Sequence, residues 1–189
     1  KSEGSSVKKE NSNQVRSAAG EIVQYIILMA IVVAVVLVIN QFIIINARIP
    51  SSSMENTIMV NDQIFGNRLA YSFGNPKRYD IIIFKYPDDE TKYFIKRVIG
   101  LPGETVVIKS GKVYIDGSTE PLDDSFCPEQ PKGDFGPYTV PQDCYFVMGD
   151  NRNDSHDSRY WINTYVTKDE ILGKAFLRYW PIYKFGPIG

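Results

Sequence analysis

The feature that most constrains this chain is an unbroken apolar run from Ile26 to Ile39 (IILMAIVVAVVLVI). It lies inside a stretch from Ile22 to Ile45 interrupted only by Gln24, Tyr25, Asn40 and Gln41. As a helix rising about 1.5 Å per residue, that stretch reaches roughly 36 Å, enough to cross a hydrocarbon layer with some tilt. A helix on the surface of a soluble domain keeps one polar face, and this run has none. A cleaved signal peptide has a shorter apolar region followed by small residues in an A-x-A-like pattern, whereas NARIP follows here. The run therefore predicts one permanent transmembrane helix over residues 22–45. Residues 1–21, rich in Lys, Ser, Asn, Glu and Gly, predict a flexible tail, because they bury too little to offset the entropy of ordering. Lys8, Lys9 and Arg16 precede the span and only Arg48 follows it closely. That asymmetry predicts a cytoplasmic N-terminus, a single pass through the plasma membrane and an extracytoplasmic body.

The body, residues 46–189, is long enough at roughly 140 residues to bury a core. Its apolar residues come in short β-branched and aromatic runs separated by turn residues, as in YDIIIFKYP, TKYFIKRVIG, ETVVIKSGKVYIDG, CYFVMGD and AFLRYWPI. The pattern predicts a mostly β body, an antiparallel sheet with long loops. Ser110-Gly111 between VVIK and KVYI marks a hairpin, and Asp116-Gly117 marks the next turn. Residues 118–141 hold Pro121, Pro128, Pro131, Pro137 and Pro141 and predict a long surface excursion. Helix signals are weak, the best being a turn near Thr167 to Ile171. Net charge is −1 over 189 residues, which gives no electrostatic reason to expect a nucleic-acid partner. Cys127 and Cys144, with His156 as the only histidine, do not make a metal site, so no metal and no organic cofactor is expected. On an oxidising side of the membrane the two cysteines could pair or stay free; the sequence leaves that open.

Three segments carry chemistry. Ile49-Pro50-Ser51-Ser52-Ser53-Met54-Glu55-Asn56-Thr57-Ile58 follows the span and offers three adjacent hydroxyls, a composition also common in plain loops. Tyr93 to Glu104 (YFIKRVIGLPGE) reads as a strand whose alternation puts Phe94, Lys96 and Val98 on one face and Ile95, Arg97 and Ile99 on the other, so one of the two cations must point to an apolar side. An edge-strand lysine that snorkels to solvent is the ordinary explanation. A buried lysine is the chemical one, because burial lowers its pKa; an unperturbed lysine is neutral in only about one molecule in 2,500 at pH 7. The third segment, Tyr145 to Arg159 (YFVMGDNRNDSHDSR), is a strand running into a polar loop. It lacks the residue order of an EF-hand calcium site.

Taken in order and spacing, PSSSM, KRVIGLPGE and GDNRNDSHDSR resemble the type I signal peptidases, in the single-span subtype of Gram-positive bacteria. The likeness runs from the apolar span to about Ala175. It implies a serine endopeptidase that removes N-terminal signal peptides from exported preproteins, with Ser53 as nucleophile and Lys96 as general base. It further implies that the Ser51 hydroxyl and the Ser53 N–H bind the oxyanion, that Ser155 hydrogen-bonds the lysine, and that Asp157 and Arg159 support it. The family often has Gly where Ser52 stands and Pro where Asn56 stands; Ser52 would be strained if that position required a positive φ. Ile49, Pro50, Met54, Ile58, Phe94 and Ile95 are expected to line shallow apolar pockets that take small residues at the first and third positions before the cut. With only about seven residues between Ile45 and Ser53, the chemistry is expected at the surface of the lipid bilayer.

Other readings fit the same residues. His156 would be the base of a Ser-His enzyme, although the resemblance puts it at a loop position. The chain could instead be a self-cleaving Ser-Lys protease of related fold, or an anchored β module without catalysis. Trp161, Trp180 and the segment Tyr179 to Tyr183 suit either a core or a lipid interface.

Overall fold

The computed structural model describes the backbone over residues 3–188 and side chains over residues 20–188. The chain divides into a helical unit ending at Phe42 and a body beginning at Ile43.

Helix α1 covers Glu3–Phe42, and within it Gly20–Phe42, 23 residues, is long and apolar enough to cross a membrane. Its large apolar side chains are exposed on every face within the protein. Val and Ile are indifferent helix formers in water. In hydrocarbon, however, a lone segment satisfies its N–H and C=O groups only by bonding them along itself. Two boundaries differ from expectation. The helical backbone extends to Glu3, upstream of the apolar run, where composition alone suggested an unstructured stretch; no proline interrupts residues 3–21, and a helix already nucleated lengthens one residue at a time. At the other end the helix stops at Phe42, and Ile44 and Ile45 belong to the body, where Ile45 is buried in the sheet core.

The body is built from eleven strands among the described residues: β1 Ile44–Arg48, β2 Gln63–Asn67, β3 Ile81–Tyr86, β4 Asp89–Gly100, β5 Thr105–Lys109, β6 Lys112–Ile115, β7 Phe135–Thr139, β8 Cys144–Met148, β9 Val166–Thr167, β10 Ile171–Trp180 and β11 Gly186–Pro187. The main sheet runs β1-β2-β10-β3-β4-β8-β9, with β11 added to β10; a second sheet runs β6-β5-β7. Every pairing is antiparallel. The β5–β6 hairpin turns on Ser110 and Gly111 with φ of 51° and 76°, and the next turn on Asp116 and Gly117 with 53° and 71°. Two successive left-handed residues match the twist of the flanking strands, which is why these dipeptides were readable.

The centre of the main sheet is covered on both faces. Ile81 and Ile83 of β3, with Ile95 of β4, pack into one cluster containing Ile45, Ile49, Met54 and Ile58. Ile82 and Phe84, with Phe94 and Val98, pack into another containing Tyr145, Val147 and Trp161. A strand buried on both sides needs apolar residues in succession, hence IIIF. The excursion at 118–141 is less irregular than its prolines suggested, since β7 pairs with β5 and closes the second sheet over a third cluster. Of the two tryptophans, Trp161 is core, while Trp180 is 48% exposed beside the exposed Ile182 and Tyr183.

Candidate active site

The segment after β1 is shaped by what it buries. Glu55 N–H donates to Ser52 O at 2.9 Å and Ile58 N–H to Met54 O at 2.8 Å, two tight turns in succession. Met54 and Ile58 are fully buried, so the residue before Met54 is held at the core boundary: Ser53 is 7% exposed. Among the described residues the left-handed conformation in this segment falls on Asn56 (φ 82°) and not on Ser52. Asn tolerates that region, so the serine in place of the family's glycine carries no backbone strain.

Lys96 sits on β4 opposite Ile82 and is 4% exposed. Its Nζ lies 2.5 Å from Ser53 Oγ and 5.5 Å from the Phe94 ring centroid. Among the described residues no carboxylate forms an ion pair with it. Burial pushes its pKa down to about 8, against the opposing pull of Asp157 and Asp150. Alternation predicted that one of Lys96 and Arg97 faces an apolar side; both are buried, on opposite faces. Arg97 keeps its charge by a bidentate pair with the fully buried Asp150, at 2.8 and 2.6 Å.

The loop after β8 closes over the pair. Asn151 N–H donates to Ser53 O at 3.1 Å and Asn151 Nδ2 to Ser52 O at 3.2 Å. Gly149 permits this approach, since a Cβ there would collide with Ser155 Oγ and the Ser53 carbonyl oxygen. Asp157 accepts from Arg159 Nε at 2.8 Å and from Gly149 N–H at 3.0 Å, so the Asp157–Arg159 pair braces the loop. Ser155 is buried in the same wall, but its Oγ has no hydrogen-bond partner among the described residues, Lys96 included. Ser51 Oγ lies 3.5 Å from Ser53 Oγ.

These residues open on a cleft of about 610 Å³ lined by Pro50 to Ser53, Tyr93 to Lys96, Asn153 to His156 and Tyr160. Of the residues expected to line substrate pockets, Pro50, Phe94 and Ile95 do so. Ile49, Met54 and Ile58 do not; they form the core beneath, because the turns that present Ser53 require their burial. His156 borders the cleft but its Nε2 is 3.2 Å from Tyr86 OH and it makes no hydrogen bond to Ser53, so the Ser-His reading has no geometric support. Cys127 and Cys144 are both free, one in the excursion and one opening β8, so no disulfide joins them.

Several partners in the wall of the site, Asp150, Asp124, Phe126 and Glu129 among them, were not assigned a role from sequence. Arg97 and Asp150 are one pair; Arg152, fully buried, forms another with Asp124 at 2.5 and 3.0 Å. Phe126 stacks 4.2 Å from the Arg97 guanidinium, and Asn153 Nδ2 donates to Glu129 Oε2 at 2.9 Å. The excursion therefore backs the loop that holds the site. A Lys-Arg pair inside an apolar strand was the available signal that a buried partner had to exist. Nothing local identified which carboxylate it was.

The family model for signal peptidase, peptidase S26, matches residues 22–180. The chain is 42% identical over 144 residues to a probable signal peptidase I-2 of Synechocystis sp., covering 73% of this chain and 64% of that protein. It is 43% identical over 149 residues to a signal peptidase I of Leptolyngbya laminosa, covering 75% of this chain and 71% of that protein. With the signal peptidase I P of Bacillus subtilis subsp. natto it shares 40% over 163 residues, 80% of this chain and 86% of that one. A match of this extent, over the span, the Ser53 segment, the Lys96 strand and the loop that covers them, places the chain in the signal peptidase family, peptidase S26, on its bacterial type I branch.

Proposed function

We propose that this protein is a membrane-anchored serine endopeptidase that removes signal peptides from exported preproteins, using Ser53 as nucleophile and neutral Lys96 as general base. The observation that carries the reading is the 2.5 Å approach of a buried lysine, without an ion pair among the described residues, to a buried serine. With a pKa of about 8, roughly a tenth of Lys96 is neutral at pH 7, and that fraction accepts the proton of the Ser53 hydroxyl. Ser53 Oγ attacks the scissile carbonyl, the Lys96 ammonium returns the proton to the leaving amine, and Lys96 then deprotonates the water that hydrolyses the acyl-enzyme. The Ser53 N–H and the Ser51 hydroxyl are the donors suited to the oxyanion.

An extended substrate suits the cleft. Strand β8 pairs with β4 only from Arg97 onward, so among the described residues the Tyr93 to Ile95 edge facing the cleft lacks a strand neighbour. A peptide adding there is recognised through its main chain, with small residues at the first and third positions before the cut. The apolar helix serves as anchor, and the basic residues preceding it favour a cytoplasmic N-terminus with the body on the other side of the plasma membrane. The test is cleavage of a preprotein by the full chain in lipid, compared with its Ser53→Ala form. Equal processing by both would overturn the assignment.

A further inference from the structure

The cleft has a wall that the dyad does not use. Asp154 is the only carboxylate, and Lys96 the only amine, among the residues that line it. The Ser52 hydroxyl donates to Asp154 Oδ2; among the described residues Oδ1 has no donor and no cation pairs with Asp154. His156, two residues on, is set by a relay. Tyr86 OH donates to Asp88 Oδ2 at 2.9 Å, and Asp88 also accepts the N–H groups of Ile162 and Asn163 at 3.0 and 2.7 Å. The Tyr86 hydroxyl has one proton and has given it to Asp88. Its oxygen is therefore the acceptor for His156 Nε2–H at 3.2 Å, and in a neutral imidazole with that tautomer Nδ1 is an acceptor. The Tyr86 ring in turn stacks on Phe94, with centroids 4.5 Å apart. This wall offers acceptors and a negative charge.

Alternation decides which substrate residue meets it. On β4, Ile95 packs with the cluster under the Ser53 turn, while Phe94 lies on the opposite face, beside Tyr86 and Trp161. In an extended peptide added to that edge, successive side chains point to opposite faces. If the two small residues face the Ile95 side, the residue between them faces the side of Phe94 and His156. Resting on the function proposed above, we propose that Asp154 and His156 form a subsite for the second residue before the cut, which selects a cationic or hydrogen-bond-donating side chain over an acidic one. The wall acts on specificity and takes no part in the bond-breaking step.

The experiment compares peptide substrates Ala-Lys-Ala, Ala-Gln-Ala and Ala-Glu-Ala before the scissile bond, cut by the full chain in detergent micelles. The expected result is a kcat/KM for the Lys substrate roughly tenfold above that for the Glu substrate, shrinking as ionic strength is raised. Asp154→Asn, which keeps an acceptor for Ser52 but not the charge, brings the ratio to within about twofold, and Asp154→Glu preserves it. Because both substrates are read on one preparation, the ratio is insensitive to partial loss of folded enzyme. Equal kcat/KM for Lys and Glu in the parent chain, or an undiminished ratio in Asp154→Asn, would overturn the subsite. Absence of cleavage of all three by the parent chain would instead overturn the protease assignment.

Discussion

Lys96 and Arg97 are neighbours on one strand, each 4% exposed, yet they are opposite cases of a buried cation. Arg97 meets Asp150 in a bidentate pair, accepts company from the Phe126 ring and donates to Tyr79 O at 3.0 Å. Lys96 meets a hydroxyl and an aromatic ring. Burial with a counter-ion preserves charge, whereas burial without one drives the group toward its neutral form. The same strand thus carries an ion-paired cation on one face and, on the other, an amine whose pKa burial lowers to about 8. A guanidinium could not exchange roles with the amine, since it stays protonated at any working pH.

The strongest way to break the contrast is Lys96→Arg. It keeps a cation in place but removes the neutral state, and cleavage should fall by about 10⁴-fold or more, as for Ser53→Ala, while the far-UV spectrum is unchanged. Retained activity would remove Lys96 from the mechanism. Next, Arg97→Met leaves the Asp150 carboxylate buried without its partner and should cost about 3–5 kcal/mol of stability in denaturant unfolding of the body. An effect below about 1 kcal/mol would show that Asp150 is solvated.

Lys96 also has a pH signature. Lys96 has a folded pKa near 8 and an unfolded value of 10.5. Between those values the unfolded chain binds the extra proton, so this group makes stability rise with pH across that window, and below pH 8 its destabilising contribution is present in full. Lys96→Met should therefore be more stable than the parent below pH 8, by about 3 kcal/mol at most, with the difference fading toward pH 10.5. The parent kcat/KM should climb with pH and level off above about 8. A smaller effect belongs to Ser51→Ala, expected to lower kcat about 10²-fold with KM little changed, as for loss of one oxyanion donor. If KM alone rises, Ser51 serves binding instead.

Much of this was legible in residues close together in the chain. A β-branched apolar run long enough to cross a bilayer, strand-length segments ended by Ser-Gly and Asp-Gly, and a Lys-Arg pair inside an apolar strand are local patterns, and the helix, the hairpin turns and the burial of at least one cation of β4 follow from them. The boundary at Phe42 was not legible, because Ile43 to Ile45 are as apolar as the helix; what separates them from it is the pairing of Ile44 and Ile45 with β2 and the burial of Ile45 in the cluster with Ile64 and Ile83. Nor was the separation of Ile49, Met54 and Ile58 from the cleft, since an apolar side chain beside the Ser51 to Ser53 segment can face either a pocket or the core.

What the sequence determined by itself was an apolar helix long enough to cross a membrane, the β class and the set of residue types that could do chemistry. The tertiary structure decided which of three adjacent hydroxyls stands 2.5 Å from Lys96, which cation has a carboxylate, and that Cys127 and Cys144 stay apart. The reason is one of range. Propensity and periodicity act over a few residues, whereas Ser53 meets Lys96 across 43 positions and Arg97 meets Asp150 across 53. Over such separations the pKa of a lysine is set by what the fold packs around it.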